Sequence, residues 1–377
     1  MATDNPTIPE WRALYAAAVR FRDHAPWQWM HEAQVFGVQN PETREIGYCS
    51  IMGGAGEHFS LCAYRGRDGL LGLQRMRETP PWLPDTNPIE FLALQDSLMA
   101  SFEDRERIEA EDRAVMQSLG LKFRGRGAWP LFRSYLPGSI PWTVTVGEAR
   151  FLTVALEQSL AVALRAVENP GLVTETEFDE PKLVRVRGEN GEWRDDLMMP
   201  PPPVLTRYIA PDVDSKRIEA LLALPRAIKG TIEVGAERMP HPMANGEEDR
   251  PAFPFVMLAL AVAPRPARKT IAPEAPSKNR RRIVSRRRVN PDETEGRVIA
   301  HGVTSPARFA ETAVEVLLGG IEVVGGLPAD LVVARDDLYH YLRPVADSLQ
   351  IELRREETVP SFSAAASEML AAFGAFG

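Results

Sequence analysis

The sequence predicts an α+β domain followed by an α/β domain, joined by a proline-rich connection. The first domain is predicted from two β-prone runs that flank a glycine loop at residues 53–56, an arrangement typical of a hairpin. The second is predicted from strand-like runs that alternate with amphipathic helical segments after residue 300, a pattern typical of α/β folds. The chain has 377 residues, enough to bury two cores of this kind.

The N-terminal elements follow from the spacing of apolar residues. Apolar side chains at helical spacing predict a helix over residues 8–23. The runs 46–52 and 57–64 consist of β-prone residues on either side of the glycine loop, so we expect them to pair as the central hairpin of this domain. Helices are then expected over residues 88–119 and 147–167, the second ending before an Asn-Pro pair that cannot continue it.

Proline-rich sequence separates the two domains. Residues 198–203 read Met-Met-Pro-Pro-Pro-Pro, which favours extended polyproline structure. We therefore place an N-terminal α+β domain at residues 1–172, a connecting region at 173–229 and a C-terminal α/β domain at 230–377. Residues 264–290 are interpreted as a basic insertion within the C-terminal domain.

The order of elements in the C-terminal domain indicates its topology. The expected elements are strands at 231–234, 253–262, 297–303, 330–334 and 350–354, and helices after Ser305-Pro306 and at 336–349 and 361–373. Strands that alternate with helices in this way indicate parallel pairing through right-handed crossovers. The order β-β-β-α-β-α-β-α resembles that of ribonuclease-H-like domains, so we expect a ribonuclease-H-like strand order in this domain.

Composition and cysteine content narrow the classes of protein. Hydrophobic residues make up 44% and charged residues 25% of the chain, as in ordinary soluble globular proteins. The N-terminus lacks the features of a secretion signal, and no stretch approaches about 20 uncharged apolar residues, so we expect no membrane association. Two cysteines cannot form a disulfide framework or a four-thiolate zinc site. We expect a cytoplasmic protein with no cofactor.

The two cysteines, Cys49 and Cys62, lie on opposite strands of the expected hairpin. The register of the hairpin decides whether their side chains share a face. We favour a role as buried small hydrophobic residues, and a nucleophilic cysteine assisted by His58 is the alternative.

A basic run stands out in this acidic chain. Residues 264–290 hold ten arginines and lysines and one acidic residue, whereas the whole chain has a formal net charge of −8. The candidate contact residues of the run are Arg280, Arg281, Arg282, Arg286, Arg287 and Arg288. Such a run can neutralise nucleic-acid phosphates or contact an acidic protein. Because the run contains no aromatic residue on which a base could stack, we favour a solvated loop or an acidic-protein contact over nucleic acid.

A second candidate contact region combines arginine and aromatic side chains. The candidates within residues 122–142 are Arg124, Arg126, Trp129 and Trp142. Arginine and tryptophan are residue types that dominate the binding energy of protein interfaces. We favour the interpretation that these side chains anchor a loop onto the hairpin core, with a peptide or protein groove as the functional alternative.

Two stretches of the chain carry signature-like patterns. Residues 48–66 read YCSIMGGAGEHFSLCAYRG, and residues 121–142 read LKFRGRGAWPLFRSYLPGSIPW. Both are similar to an N-terminal domain of unknown function in bacterial proteins, and the C-terminal third, from Arg250 onward, resembles the domain that often accompanies it. The resemblance implies a two-domain architecture and no catalytic residues. The segment between Val262 and Arg297 is longer than in that family, which marks the basic run as an insertion.

Carboxylates of the C-terminal domain supply an enzymatic alternative. A ribonuclease-H-like active site holds two Mg²⁺ ions on clustered carboxylates. The candidate carboxylates here are Glu233, Glu315, Asp336 and Asp337. Asp336 and His340 fall within about one helical turn and form the candidate metal pair. The second strand of the domain is entirely apolar, so we interpret any such site as degenerate.

The sequence therefore favours a non-catalytic protein that binds or scaffolds an unidentified macromolecular partner. The alternative is a metal-dependent phosphodiesterase or nuclease-like enzyme that uses the four carboxylates.

Overall fold

The computed structural model describes residues 5–78, 88–175, 177–202, 208–226, 228–244, 250–262 and 296–374. The chain divides into two compact units. Unit 1 contains Met1–Leu205 and Pro242–Ala252, and unit 2 contains Thr206–His241 and Phe253–Gly377. Each unit holds one mixed β-sheet with helices packed against it. The predicted domain boundaries near residues 172 and 229 stay a prediction.

Unit 1 is built on a seven-stranded sheet. Its helices are α1 Ile8–His24, α2 Gly66–Glu78, α3 Pro88–Leu94, α4 Ala110–Ser118 and α5 Val146–Glu168. Its strands are β1 Phe36–Gln39, β2 Ile46–Met52, β3 Ser60–Arg65, β4 Ser97–Glu103, β5 Trp129–Tyr135, β6 Lys182–Arg187 and β7 Trp193–Met198. The strand order is β5-β4-β3-β2-β1-β6-β7, and β1 and β6 form the parallel pair. Helices α1 and α5 cover one face of the sheet, and α2 covers the other.

The predicted hairpin and the long α5 helix are confirmed. Strands β2 and β3 pair antiparallel on either side of the glycine loop and lie near the centre of the sheet. Helix α5 begins at a capping box in which the Thr145 hydroxyl accepts from the Glu148 amide, while the Glu148 carboxylate accepts from the Thr145 amide. This reciprocal capping fixes the start of the helix.

The single helix predicted over residues 88–119 is wrong. Strand β4 interrupts it and leaves the short helices α3 and α4 on either side. Nearly all of β4 is buried, because it lies between β3 and β5 with covered faces. Leu98, Ala100 and Phe102 of β4 lie in the hydrophobic core and alternate with residues that are polar except for Met99. This period of two is too short to stand out between two helical segments.

A partly buried ion-pair network ties three elements of unit 1 together. Arg65, at the end of β3, is 15% exposed. Its Nε lies 2.6 Å from Asp96 Oδ1, its Nη1 lies 2.6 Å from Glu148 Oε1, and its Nη2 donates to the Tyr135 carbonyl. Burial alone would raise the pKa of Glu148, but hydrogen bonds from the Thr145 amide and the Ser134 hydroxyl, together with Arg65, lower it below its usual value.

A strap from later in the sequence completes unit 1. Its described parts, 242–244 and 250–252, form a backbone bridge between Met243 and Ala252. The Ile140 amide donates to the Pro251 carbonyl at 3.0 Å, and Arg250 donates to the Ser134 carbonyl. The strap therefore supplies hydrogen-bond partners to the Ile140 amide and the Ser134 carbonyl beside β5. Residues 1–205 alone do not contain these partners.

Unit 2 is built on a five-stranded mixed sheet. Its strands are β8 Ile228–Arg238, β9 Phe255–Val262, β10 Arg297–Thr304, β11 Pro328–Val333 and β12 Glu352–Arg355, and its helices are α6 Ser215–Leu222, α7 Phe309–Val324, α8 Asp336–Ser348 and α9 Pro360–Gly374. The strand order is β10-β9-β8-β11-β12, with β8, β11 and β12 parallel to one another. Helices α7 and α8 pack on one face and α9 on the other. The predicted α/β alternation is confirmed.

Candidate functional site

Two segments singled out in the sequence lie beside each other in unit 1. The first signature contains Phe59, and the second signature contains Gly127, where a Cβ would lie 3.6 Å from the Phe59 ring. An open cavity of about 520 Å³ lies at this junction. We call its lining side chains the cationic–aromatic surface, and they are Arg22, Trp27, Phe59, Lys122, Phe123, Arg124 and Arg126.

The loop at 122–128 is held in one conformation by contacts on both sides. Gly125 has φ 102° and Gly127 has φ 60°, values that favour glycine over residues with a side chain. The Gly127 amide donates to Asp104 Oδ1 at 2.7 Å. Arg22 Nη1 donates to the Ala128 carbonyl at 2.7 Å. The loop therefore presents its charged side chains from a fixed backbone.

The rings of the surface are backed by the core of unit 1. Trp27 lies 4.9 Å from Phe59 and 6.1 Å from Phe21, measured between ring centroids. Phe123 is enclosed on several sides, because Tyr15 stacks on it at 6.2 Å and the Arg22 guanidinium lies 5.9 Å from its ring centre. Phe59 is half-buried, and its described ring contact is with Trp27.

The charge of the surface is positive. Lys122, Arg124 and Arg126 are exposed, and the Arg126 side chain is 91% exposed. Arg126 Nε lies 4.0 Å from Asp104 Oδ2, at the outer limit of an ion pair. Arg22 differs from these three, since its Nη2 lies 2.7 Å from Asp23 Oδ1. Lys122, Arg124 and Arg126 are thus exposed cations that line the same cavity as the rings. Arg22 contacts Phe123 and the loop.

The predicted contact residues of the N-terminal domain do not all meet. Arg124 and Arg126 line the surface, and Trp129 lies behind it with its ring 5.9 Å from Phe123. Trp142 instead pairs through its backbone with Ser134, five residues along β5 from Trp129. At about 3.3 Å per residue, this separation is about 16 Å. The arginines predicted in the run 264–290 lie outside the described residues.

The four candidate carboxylates of unit 2 have separate structural partners. Glu233 is 2% exposed, and its Oε2 accepts from the Phe362 amide at 3.1 Å, which caps the start of α9. Glu315 accepts from Arg217 at 2.8 Å. Asp336 pairs with Arg355 and Asp337 with Arg335. Across the described part of the chain, no three His, Cys, Asp or Glu side chains are placed to hold one metal ion.

The candidate metal pair has a simpler geometry. His340 Nε2 lies 3.7 Å from Asp336 Oδ2, and both side chains are substantially exposed. The His340 ring stacks on Tyr208 with 4.5 Å between centroids and 9° between planes. Two ligands without a third among the described residues do not define a metal centre.

The two thiols point to opposite faces of the sheet. Cys62 pairs with Ser50, whereas Cys49 pairs with Ala63, so the two cysteines are offset by one residue in the register. Both are fully buried and reduced. Burial raises the pKa of Cys49 to about 12 and the pKa of Cys62 to about 11.

Neither cysteine is expected to react with an aromatic disulfide reagent in the folded protein at pH 8. The thiolate is the reactive form, and both burial and the raised pKa values of about 12 and about 11 suppress it. Two thiols should react rapidly after addition of guanidinium. Rapid reaction of either thiol before unfolding would contradict this account.

Two family models match parts of the chain. Residues 11–185 match the family model described as a domain of unknown function (DUF7309). Residues 267–370 match a second model, described as a domain of unknown function (DUF6930). The predicted combination of two uncharacterised domains is confirmed, and both signatures lie within the first match. No curated protein and no solved structure matches the chain.

Within the described ranges, no helix combines the length and the apolar character that crossing a bilayer requires. The geometry of the surfaces of unit 1 and unit 2 is the evidence that bears on the function of the chain. Sequence reasoning identified Arg124 and Arg126 but missed Arg22, Trp27 and Phe59, which join the surface only after the hairpin and α1 have packed.

Proposed function

We propose that unit 1 is a non-catalytic binding module whose cationic–aromatic surface takes an anionic segment of a macromolecular partner. The observation that carries this proposal is the placement of Lys122, Arg124 and Arg126 around partly exposed rings in a chain of formal net charge −8. A local positive surface on an acidic protein attracts anionic groups of other molecules. The unidentified partner predicted from the sequence would bind here.

The chemistry of the lining supports binding over catalysis. The described residues around the cavity include no carboxylate, hydroxyl, thiol or imidazole side chain. Most general acid–base and nucleophilic catalysts are such groups, and Lys122, the lining side chain that could also play this role, is exposed to solvent. Arginine and lysine hold a positive charge over the whole physiological pH range, and aromatic rings supply apolar contact area. The set suits recognition of a charged, partly planar ligand.

Unit 2 is proposed to act as a scaffold of ribonuclease-H-like strand order without that fold's metal chemistry. In the order of their appearance, its strands are arranged 3-2-1-4-5, and the second strand runs opposite to the others. This arrangement supports the topology expected from the sequence. The separate partners of Glu233, Glu315 and Asp336 give the phosphodiesterase alternative no support.

Reversing two charges of the surface is expected to abolish most polyanion binding. Full-length protein that carries Arg280→Ser, Arg281→Ser, Arg282→Ser, Arg286→Ser, Arg287→Ser and Arg288→Ser removes competing cations of the run 264–290. In this background we expect Arg124→Glu/Arg126→Glu to weaken binding of a labelled poly-glutamate peptide and of labelled polyphosphate at least tenfold at ~50 mM salt, because two attractive contacts become repulsive. Fluorescence anisotropy measures both affinities.

The matched control changes the same charge elsewhere on unit 1. Arg12 and Arg75 are exposed and lie outside the cavity, so Arg12→Glu/Arg75→Glu alters the net charge equally. We expect this control to weaken binding less than threefold, which corresponds to long-range charge alone. Equal losses in the two double variants would contradict the proposed surface.

A further inference from the structure

We infer that the anionic partner of the cationic–aromatic surface is single-stranded nucleic acid, with a base stacked on Phe59 and the neighbouring phosphates on Arg124 and Arg126. This inference rests on the proposed function and specifies its ligand. It differs from the nucleic-acid hypothesis for the run 264–290. That run contains arginine and lysine but no aromatic residue on which a base could stack.

The first step is the pairing of rings with cations in one open cavity. Proteins that bind single strands combine aromatic platforms for bases with positive side chains for the backbone. Here Phe59 and Trp27 lie 4.9 Å apart, and Arg124 and Arg126 line the same cavity. Its volume of about 520 Å³ falls in the range of small-ligand pockets, about 300–1,000 Å³.

The second step compares two rings of the cavity by the side chains that already lie against them. Phe123 has Tyr15 stacked against it and the Arg22 guanidinium near its ring centre. Phe59 has one described ring neighbour, Trp27, and sits at the cavity. We therefore assign the stacking role to Phe59 and a supporting role to Phe123.

The third step concerns the form of the nucleic acid. A duplex hides the faces of its bases and is usually read by a helix or a β-ribbon placed in a groove. The loop at 122–128 is neither of these. Unstacked bases of a single strand expose the faces that an aromatic ring can use. The surface therefore favours single strands over duplexes.

The fourth step is pre-organisation. Trp27 is backed by Phe21 and Phe102, and the loop is fixed by the contact between the Gly127 amide and Asp104. Groups that are already ordered lose little freedom on binding. An acidic peptide would use the cations but would leave the fixed Phe59 platform unused, so nucleic acid accounts for more of the surface.

The test measures binding of four labelled probes to the full-length chain by anisotropy at ~50 and ~200 mM salt. The probes are a 15-nucleotide oligo-dT, an abasic oligomer of equal length and charge, a duplex of equal length, and polyphosphate. All variants are made in full-length protein that also carries Arg280→Ser, Arg281→Ser, Arg282→Ser, Arg286→Ser, Arg287→Ser and Arg288→Ser. This background removes the main phosphate-binding competitor without shortening the chain.

We expect oligo-dT to bind at least tenfold more tightly than the abasic oligomer and the duplex. Phe59→Leu, which keeps an apolar side chain but removes the ring, should weaken oligo-dT binding about five- to a hundredfold and leave abasic binding unchanged. Phe59→Tyr should restore binding. The matched control, Phe123→Leu, should change oligo-dT binding less than threefold, because Tyr15 and the Arg22 guanidinium already lie against that ring.

Equal binding of oligo-dT and the abasic oligomer, or equal effects of Phe59→Leu and Phe123→Leu, would overturn the inference. Suppose one of these overturning results is found, but polyphosphate and the abasic oligomer still bind the parent and no longer bind Arg124→Glu/Arg126→Glu. The proposed function then stands, and the nucleic-acid inference alone fails. If that double variant binds every probe as well as the parent, both fail.

Discussion

Replacing Phe21 with alanine is expected to lower the free energy of unfolding of unit 1 by about 3–5 kcal/mol. Phe21 is fully buried on α1, and its ring stacks on Phe102 and lies 6.1 Å from Trp27. Alanine removes the apolar contacts of the ring and leaves a cavity that close-packed neighbours fill only in part. The same cavity lies beneath Trp27, so the variant should also weaken ligand binding at the cationic–aromatic surface.

The measurement is a guanidinium titration followed by tryptophan fluorescence. All seven tryptophans of the chain precede residue 206, so the signal reports on unit 1. Phe21→Leu is the matched control, since it retains most of the apolar volume and should cost less than half as much. A loss below about 1 kcal/mol for Phe21→Ala would show that the site collapses around the smaller side chain.

Removing the guanidinium of Arg65 is expected to cost unit 1 about 2–4 kcal/mol. The change leaves Asp96 and Glu148 without their shared cation and frees the Tyr135 carbonyl. Breaking a buried ion pair costs about 3–5 kcal/mol, and partial solvent contact of these carboxylates reduces the value. Arg65→Ala should also raise the pKa of Glu148, because one of the groups that lower it is lost.

That pKa change gives the Arg65 prediction a pH signature. A carboxylate whose pKa is lowered on folding stabilises the folded state above its unfolded pKa and loses this contribution as the pH falls through the folded value. The parent should therefore lose part of its stability below pH 4.5, the ordinary glutamate value. In Arg65→Ala this loss should be smaller and should be complete at a higher pH, because the folded pKa of Glu148 lies closer to its unfolded value.

Arg12→Ala, at an exposed position of α1, is the control for Arg65→Ala. It should change stability by no more than about 0.5 kcal/mol. Equal stability of Arg65→Ala and Arg12→Ala at pH 7 would mean that the network makes no net contribution to the free energy of unfolding. Some buried ion pairs behave in this way, because desolvation offsets their attraction.

Local patterns predicted the elements whose signals are contained within a few residues. The hairpin of β2 and β3 followed from β-prone runs around a glycine loop, and α5 followed from apolar spacing that ends before Asn169-Pro170. Strand β4 was missed because its burial comes from β3, β5 and packed helices distant in sequence. Its period of two spans only seven residues and is interrupted at Met99, so it does not stand out from the helical segments on either side.

The sequence predicted only those residues of the candidate site that lie close together along the chain. Arg124 and Arg126 stood out because arginine and aromatic residues are dense in their own segment. Trp27 and Phe59 lie 32 residues apart in sequence and meet only through packing of the sheet. The sequence groups Trp142 with Trp129 in one candidate contact region. Pairing of Trp142 with Ser134 instead places it at the far end of β5. Proximity of this kind requires the register, which a single sequence does not encode locally.

The strap has a consequence for synthesis of the chain on the ribosome. Unit 1 lacks Pro242–Ala252 until the ribosome has already made β8, the first strand of unit 2. Domains usually fold in the order in which they are made. Here the N-terminal unit cannot be completed before its neighbour has begun, so a nascent chain paused after residue 205 exposes backbone groups near Ile140 and Ser134. No single cut between the two units yields both of them whole.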